Sequence, residues 1–124
     1  MNKDQVYEKF LEENPDIGIL KVQISLAEQA IPIPNVDVLI EKKVSNLTLN
    51  FFEGLTDGSG TISNIDLPAP VIKDKDEPEY IMYQLIVKHP NYVGPTTFQI
   101  PIYSGQKMIQ YITLVPKRKE NNNG

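Results

Sequence analysis

The 124-residue sequence predicts an all-β protein, an antiparallel β-sandwich of about seven strands with one short N-terminal helix. From residue 18 to residue 116, apolar and polar residues alternate in short runs, which is typical of half-buried strands. The 10 prolines and 7 glycines fall between these runs, as expected for turns that separate strands. No segment between two strands has the length and periodicity of the helical crossover that joins neighbouring parallel strands, so antiparallel pairing is expected.

The N-terminal residues 2–14 form the one segment with a helical pattern. They contain neither Gly nor Pro, and Asn2 with Gln5 three residues later matches a capping box. Asn14 before Pro15 is a suitable end. A helix this short is marginal alone, so we expect it to dock on the strands through one apolar stripe. The stripe comprises Val6, Tyr7, Phe10 and Leu11.

Seven segments carry the strand pattern, namely residues 18–26, 35–43, 47–55, 61–67, 80–88, 98–102 and 107–115. Pro101 predicts an edge position or a bulge for the sixth segment. The turn at residues 56–61 places Gly58 and Gly60 where a positive φ is useful. The residues expected to face the core are Leu20, Val22, Ile24, Leu26, Val36, Val38, Ile40, Leu47, Leu49, Phe51, Ile81, Tyr83, Leu85, Val87, Phe98, Ile100, Ile102, Met108, Ile112 and Leu114.

The sequence divides into three regions. Residues 1–16 form the amphipathic helix and a linker, residues 17–116 the β-sandwich domain, and residues 117–124 a polar tail that we predict to be disordered.

Composition excludes several classes of function. The chain has no Cys and a single His, which removes disulfide scaffolds, cysteine nucleophiles and zinc sites that need two imidazoles. A net charge of −4 argues against nucleic-acid binding. No apolar run approaches the ~20 residues of a membrane helix, so no membrane insertion is expected. The first ten residues lack the apolar segment of a signal peptide, which predicts a cytoplasmic or spore-associated protein.

Few residues are candidates for chemistry. His89, next to Pro90, is either a general base or an ordinary turn histidine, and the second interpretation is favoured because no nucleophile motif accompanies it. Asp57 in DGSG suggests a calcium loop or an Asp-Gly turn, and the turn is favoured because calcium needs six or more oxygen ligands. The acidic residues around Asp74 alternate with lysines, which indicates a solvated loop. We therefore predict no catalytic residue, no cofactor and no metal site.

Some apolar residues fall on the faces opposite the predicted core. The set comprises Leu39, Phe52, Met82, Ile86, Ile109 and Tyr111. A two-layer sandwich normally exposes polar residues there. Three explanations are open: some strand parities are misassigned, the N-terminal helix covers these residues, or they form a surface for a partner or for self-association. The candidate partner surface comprises Phe52, Met82, Ile86 and Tyr111.

The order of the segments resembles a known family. PIPNVDVLI, TDGSGTISNIDLPAP, EPEYIMYQLIVKHPNY and IPIYSGQKMIQYITLVP, in that order, resemble the carboxypeptidase-regulatory-like domains. The resemblance covers about residues 14–116 and is strongest to the clostridial version related to N-terminal domains of spore cortex-lytic and peptidoglycan-binding proteins. It implies a prealbumin-like or Ig-like sandwich that carries no catalytic residues of its own.

Two related sandwiches with chemistry do not fit the sequence. The hydroxyisourate hydrolases need several His and Arg residues, whereas this chain has His89 and one arginine, Arg118. Pilin-type domains with an internal Lys–Asn isopeptide bond need a lysine that points inward. Lys21 lies on the first strand but alternates outward, and the last strand offers Gln110 rather than Asn or Asp.

The sequence therefore predicts a non-enzymatic structural or binding module, which the resemblance associates with the spore or cell envelope of a Gram-positive bacterium. The alternative is an accessory domain or pro-domain that partners a peptidoglycan (spore cortex) hydrolase. A glycan-binding version predicts exposed aromatics in a row, with Tyr80, Tyr103 and Tyr111 as candidates. The expected partners are a protein or peptidoglycan, and the sequence leaves the oligomeric state open.

Overall fold

The computed structural model describes residues 1–28 and 30–118 of the chain. One helix, α1 (Lys3–Glu13), precedes seven strands: β1 (Asp16–Leu26), β2 (Asp37–Val44), β3 (Leu47–Leu55), β4 (Thr61–Ala69), β5 (Ile81–Lys88), β6 (Thr96–Ile102) and β7 (Lys107–Leu114). The predicted helix and all seven predicted strands are confirmed, with small shifts of their ends. Within these described ranges, no helix has the length and hydropathy needed to cross a bilayer.

The strands form two sheets that enclose the core between them. One sheet has three strands in the order β4-β1-β7, and the other has four in the order β3-β2-β5-β6. β6 is an edge strand, as Pro101 predicted, and its pairing with β5 runs without a register shift. The expectation of purely antiparallel pairing is wrong at one place, because β1 and β7 are parallel. The chain between β1 and β7 passes through both sheets, so this parallel pair needs no helical crossover.

The core consists of apolar residues from both inner faces and from the helix. Every strand contributes, and the alternation read from the sequence is confirmed at most positions. Leu26, Leu47, Phe51, Ile81, Phe98 and Met108 are half-buried against the core rather than fully inside it. The buried apolar residues are Val6, Phe10, Leu20, Val22, Ile24, Ile33, Val36, Val38, Ile40, Leu49, Ile65, Leu67, Ala69, Tyr83, Leu85, Val87, Ile100, Ile102, Ile112 and Leu114.

The helix begins and ends where the sequence predicts. The Asn2 side chain accepts the Gln5 N–H at 2.9 Å and the Gln5 side chain accepts the Asn2 N–H at 3.0 Å, which completes a capping box. At the other end, the buried Asn14 side chain donates to the Phe10 carbonyl at 2.9 Å. These two caps satisfy polar groups that a short helix otherwise leaves unpaired.

The helix packs on residues of the inner faces. The Phe10 ring lies 5.3 Å from Phe51 and 6.5 Å from Tyr83, and Tyr7 lies 5.4 Å from Phe51, all between ring centroids. The expectation that Leu11 belongs to the docked stripe is wrong, since that side chain is 38% exposed. The helix therefore extends the core and does not cover the outer faces, so the second explanation for the surplus apolar residues is wrong.

Two buried side chains, those of Thr56 and Tyr83, form hydrogen bonds with the backbone of distant segments. Thr56, which follows β3, donates its hydroxyl to the Ile33 carbonyl at 2.7 Å and accepts the Val36 N–H at 2.9 Å. Tyr83 on β5 donates its hydroxyl to the Pro68 carbonyl on β4 at 2.5 Å, which links the two sheets. Burial raises the pKa of Tyr83 well above its ordinary value, and the neighbouring Tyr7 adds to this effect.

The turn at residues 56–61 has one glycine with a positive φ. Gly60 adopts φ +70°, and a Cβ there would collide with the Ile24 carbonyl oxygen of β1. Gly58 does not have a positive φ, and a Cβ there would meet open space, so the sequence expectation for positive φ is confirmed at Gly60 alone. This turn brings β4 beside β1 because the Ile24 N–H donates to the Gly60 carbonyl at 2.8 Å.

The C-terminal segment lies only partly within the described residues. Lys117, assigned to the tail from the sequence, donates its N–H to the Asn91 carbonyl at 2.9 Å. Residues 119–124, where disorder is predicted, lie outside the described part of the chain. The division of the chain into helix, domain and tail stays a prediction.

Candidate functional site

Phe52, the first residue of the candidate partner surface, packs against the core. Its assignment to an outer face is wrong because a register shift between Ile40 and Glu41 leaves one extra residue on β3. Phe52 lies directly opposite the buried Ile40, and its ring covers Gly54, where a Cβ would lie 2.8 Å from Cζ. A strict two-residue alternation cannot show such an insertion.

Met82 and Ile86 lie on the outer face of the four-stranded sheet, as predicted, and both are half-buried. Ile86 is directly opposite Leu39 on β2. Leu39 and Ile86 line a cavity of about 240 Å³ whose other walls include Asp37, Glu53 and Lys88. The result is a small apolar floor with a charged rim.

Tyr111 lies on the other side of the molecule. It is 67% exposed on β7, opposite Gln23 of β1, on the outer face of the three-stranded sheet. Ile109 accompanies it there and is 42% exposed. The four residues of the candidate partner surface are thus distributed over the core and two opposite faces, and they do not form one patch. Whether a partner binds at either face stays a prediction.

His89 lies at the end of the sandwich where β5 ends and β2 begins. It is half-buried and lines a cavity of about 400 Å³. Its Nδ1 accepts the Asn91 N–H at 3.1 Å, and its ring meets the Tyr92 ring edge-on at 5.1 Å. The imidazole therefore closes the turn that it begins, as the favoured interpretation of the sequence predicted. The cavity is lined by Asn35, Asp37, Leu55, Lys88, His89, Pro90, Gly94, Pro95 and Lys117.

The charges of this cavity are mainly basic. Lys88, His89 and Lys117 contribute nitrogen donors, and Asp37 contributes the one carboxylate of the lining. The Asp37 carboxylate lies 3.7 Å from the Lys88 ammonium, a partly exposed pair of modest strength. The lining residues include no hydroxyl or thiol. The sequence indicated His89 but not Asn35, Asp37 or Lys117, because distant segments meet here only in the folded chain.

The proposed calcium loop is a turn, in agreement with the favoured interpretation. One carboxylate oxygen of Asp57 accepts the Ser59 N–H at 2.9 Å and the Thr61 N–H at 3.0 Å. Asp74 accepts the Asp76 N–H in the same way. In residues 1–28 and 30–118, no group of three or more His, Asp or Glu side chains is close enough to hold a metal ion.

Lys21 and Gln110 are not placed for an isopeptide bond. Lys21 is directly opposite the exposed Ile109 on the outer face, whereas Gln110 is opposite the fully buried Val22. Because opposite residues of a ladder share a face, Lys21 and Gln110 point to different sides of the sheet. The outward parity read from the sequence is confirmed.

Two of the three candidate tyrosines come together. The rings of Tyr80 and Tyr103 lie 5.3 Å apart at an angle of 48°, and Tyr80 is 47% exposed. They mark the start of β5 and the end of β6. Tyr111 is on β7 and has no ring contact with either of them among the described residues.

The two sheets, their strand order and the core define an Ig-like or prealbumin-like β-sandwich, which confirms the predicted fold class. Similar solved structures include the minor pilin GBS52 of the Gram-positive pathogen Streptococcus agalactiae, with a TM-score of 0.59 and 13% identity over 88% of this chain. The Bacillus anthracis TIE protein is similar with a TM-score of 0.56 and 15% identity over 82% of this chain. The 5-hydroxyisourate hydrolase of Klebsiella pneumoniae, with 15% identity over 83% of this chain and 94% of its own, has a TM-score of 0.45, which supports no argument.

The aligned part spans 48% of the pilin and 17% of the TIE protein. At these identities the likeness extends to the fold alone. No family model matches the sequence, and no curated protein matches it.

Proposed function

We propose that this chain is a non-enzymatic structural or binding module. The proposal rests on the contacts of the His89 side chain. Its Nδ1 accepts a hydrogen bond from the Asn91 N–H, and its ring packs on Tyr92. The one carboxylate of the cavity lining, Asp37, is paired with Lys88. Because Nδ1 of His89 accepts the hydrogen bond from Asn91, a neutral ring carries its proton on Nε2, and neither ring nitrogen is left to accept a proton from a nucleophile.

The proposed setting is the cell envelope or spore of a Gram-positive bacterium. Support comes from the resemblance to clostridial carboxypeptidase-regulatory-like domains and from the fold shared with a minor pilin of a Gram-positive pathogen. Both supports are analogies at the level of fold, and the physical contribution of such a module is a rigid frame that presents its loops and sheet faces.

Fractionation of the bacterium that carries the gene tests this setting. Antibody against the chain is expected to detect most of the protein in the envelope or spore fraction, alongside a wall marker. Detection of the whole amount with a cytosolic marker would refute the envelope assignment.

A second candidate function, the accessory partner of a peptidoglycan hydrolase, is favoured by the Tyr80–Tyr103 pair. Two adjacent tyrosine rings, one of them 47% exposed, offer an apolar platform with polar hydroxyl tips. The flat apolar faces of glycan sugars stack on such platforms. This candidate requires the chain to bind peptidoglycan by itself.

Co-sedimentation with purified peptidoglycan sacculi tests the second candidate. The unchanged chain is expected to sediment, and the double variant Tyr80→Ala with Tyr103→Ala is expected to lose at least ten-fold in affinity. Ile72→Ala, which removes an exposed apolar side chain outside the pair, serves as the control and is expected to bind normally. An unchanged chain that stays in the supernatant eliminates the candidate, and equal binding by all three proteins eliminates the tyrosine platform.

A further inference from the structure

β7 has one edge that faces away from its sheet. In the parallel ladder with β1, the Ile19 N–H donates to the Gln106 carbonyl at 2.9 Å, and the Ala27 N–H donates to the Leu114 carbonyl at 3.0 Å. Even-numbered residues of β7 therefore direct their backbone groups toward β1. Because backbone groups alternate along a strand, those of the odd-numbered residues point outward. The outward set comprises Lys107, Ile109, Tyr111 and Thr113.

Two hydrogen bonds, one just past the set and one within it, confirm the outward direction of this edge. Just past β7, the outward carbonyl of Val115 accepts the Val93 N–H at 2.8 Å, so the chain itself already pairs with this edge. The Tyr111 carbonyl is reached at 3.4 Å by the amide of its neighbour Gln110, which folds over the edge. Between Lys107 and Thr113, within the described residues, no strand lies beside β7 on this side.

The other three sheet edges carry prolines, left-handed residues or inserted residues that oppose pairing, and β7 has none of these. β4 contains Pro68 and a left-handed residue, Asn64, at φ 56°. β6 contains Pro101. β3 is bent by its extra residue, and the helix packs against it. β7 has no proline, and its one charged residue, Lys107, stands at its first position. Proteins normally protect edge strands with such features, so the absence at β7 suggests that this edge is used.

We propose that β7 pairs in antiparallel fashion with β7 of a second copy of this chain, about a two-fold axis at Gln110. Gln110 is the midpoint of the outward set, so an axis there uses all of it. Ile109 then lies opposite Tyr111 of the second copy, and Lys107 lies opposite Thr113. No like charges face each other directly.

The self-complementary pattern is what selects a second copy over an unrelated strand. Ile109 and Tyr111, which are 42% and 67% exposed in one chain, form two aliphatic–aromatic cross-strand pairs in the dimer. The three-stranded sheets of the two copies join into one continuous six-stranded sheet with the order β4-β1-β7-β7-β1-β4. Interfaces of this two-fold kind place the same patch on both partners.

Cysteine cross-linking tests the register directly, since the chain has no cysteine of its own. Gln110→Cys places two thiols on the axis at a pair without mutual hydrogen bonds, where the Cα atoms are ~4.5 Å apart and a disulfide fits. Thr113→Cys is the matched control on the same strand. In the proposed register Thr113 lies opposite Lys107 of the second copy, so the two introduced thiols are six residues apart along the strand. We expect Gln110→Cys to form a covalent dimer at least ten times faster than Thr113→Cys under mild oxidation. Equal rates would overturn the proposal.

Sedimentation velocity over a range of concentrations tests the association itself. The unchanged chain is expected to pass from monomer to dimer, and Tyr111→Lys is expected to weaken the dimer at least ten-fold. Ile72→Lys also replaces an exposed apolar side chain with lysine, but in the β4–β5 loop, and is expected to leave association unchanged. Thermal melts of the three proteins show that each is folded. An unchanged chain that is monomeric at every concentration, or a Tyr111→Lys variant that dimerises normally, refutes the pairing.

Discussion

Docking of α1 depends on Phe10, and its truncation is the sharpest test of how the helix is held. The side chain is only 6% exposed and contacts Phe51 and Tyr83, one aromatic residue from each of two strands of the same sheet. Truncation of a buried phenylalanine to alanine costs ~3–5 kcal/mol, because transfer energy is lost and a cavity remains. We expect Phe10→Ala to lower the free energy of unfolding by that amount. For a chain of this size the melting temperature then falls by roughly 10–20 °C.

Leu11→Ala is the matched control because Leu11 is the next residue on the same helix and is 38% exposed. We expect it to cost about 1 kcal/mol, since much of the side chain is already in water. Urea denaturation followed by circular dichroism gives both values, and the two midpoints can be compared directly. Equal losses in the two variants would contradict the orientation of the helix, and no loss in Phe10→Ala would show that α1 is not part of the core.

Three further predictions concern buried polar groups and one turn. Thr56→Val leaves the Ile33 carbonyl and the Val36 N–H without their partner and is expected to cost ~1–3 kcal/mol in urea denaturation, whereas Thr56→Ser keeps the hydroxyl and is expected to cost clearly less. A Thr56→Val variant as stable as Thr56→Ser would contradict the hydrogen-bonding role. Gly60→Ala combines a positive φ with a collision against backbone and is expected to cost about 2 kcal/mol or more. Gly58→Ala in the same turn is expected to be nearly neutral, and thermal melts distinguish the two variants. Similar melting temperatures would contradict the backbone conformation of this turn. Because the pKa of Tyr83 is raised, above pH 10 the folded state still holds a proton that the unfolded state has released. The stabilisation of the folded state by the buried hydroxyl is therefore complete below pH 10 and declines as the pH rises. The free energy of unfolding then falls by up to ~1.4 kcal/mol per pH unit. In denaturation series above pH 10, Tyr83→Phe is expected to lose this pH dependence and Tyr111→Phe to keep it. Identical pH dependence of the two variants would argue against the buried hydroxyl.

Much of the fold is predictable from the sequence because the two periodicities are local. Asn2, Gln5 and Asn14 define the helix through caps that involve only neighbouring residues. Alternation identifies the buried faces of β1, β2 and β5, where no residue is inserted. The strand order and the parallel pairing of β1 with β7 depend on how distant segments meet, which no local pattern records.

The errors have particular physical causes. Strict alternation places Phe52 outward because it does not register the extra residue on β3, which reverses the alternation after Phe51 and has no signature in this stretch. The helical period places Leu11 in the apolar stripe, but a period of 3.6 residues does not show how wide the docked face is. The cavity around His89 joins Asn35, Asp37 and Lys117 from three distant segments, so the sequence could indicate the histidine but not its surroundings.

The outward edge of β7 is the central structural claim, and residue-resolved amide hydrogen exchange on dilute protein tests it most directly. The amides of Met108, Gln110 and Ile112 are expected to exchange slowly because they face β1, and those of Ile109, Tyr111 and Thr113 are expected to exchange fast. Uniformly slow exchange along β7 in dilute solution would mean that a strand already covers this edge within one chain. That result would contradict both the strand order described here and the dimer proposed from it.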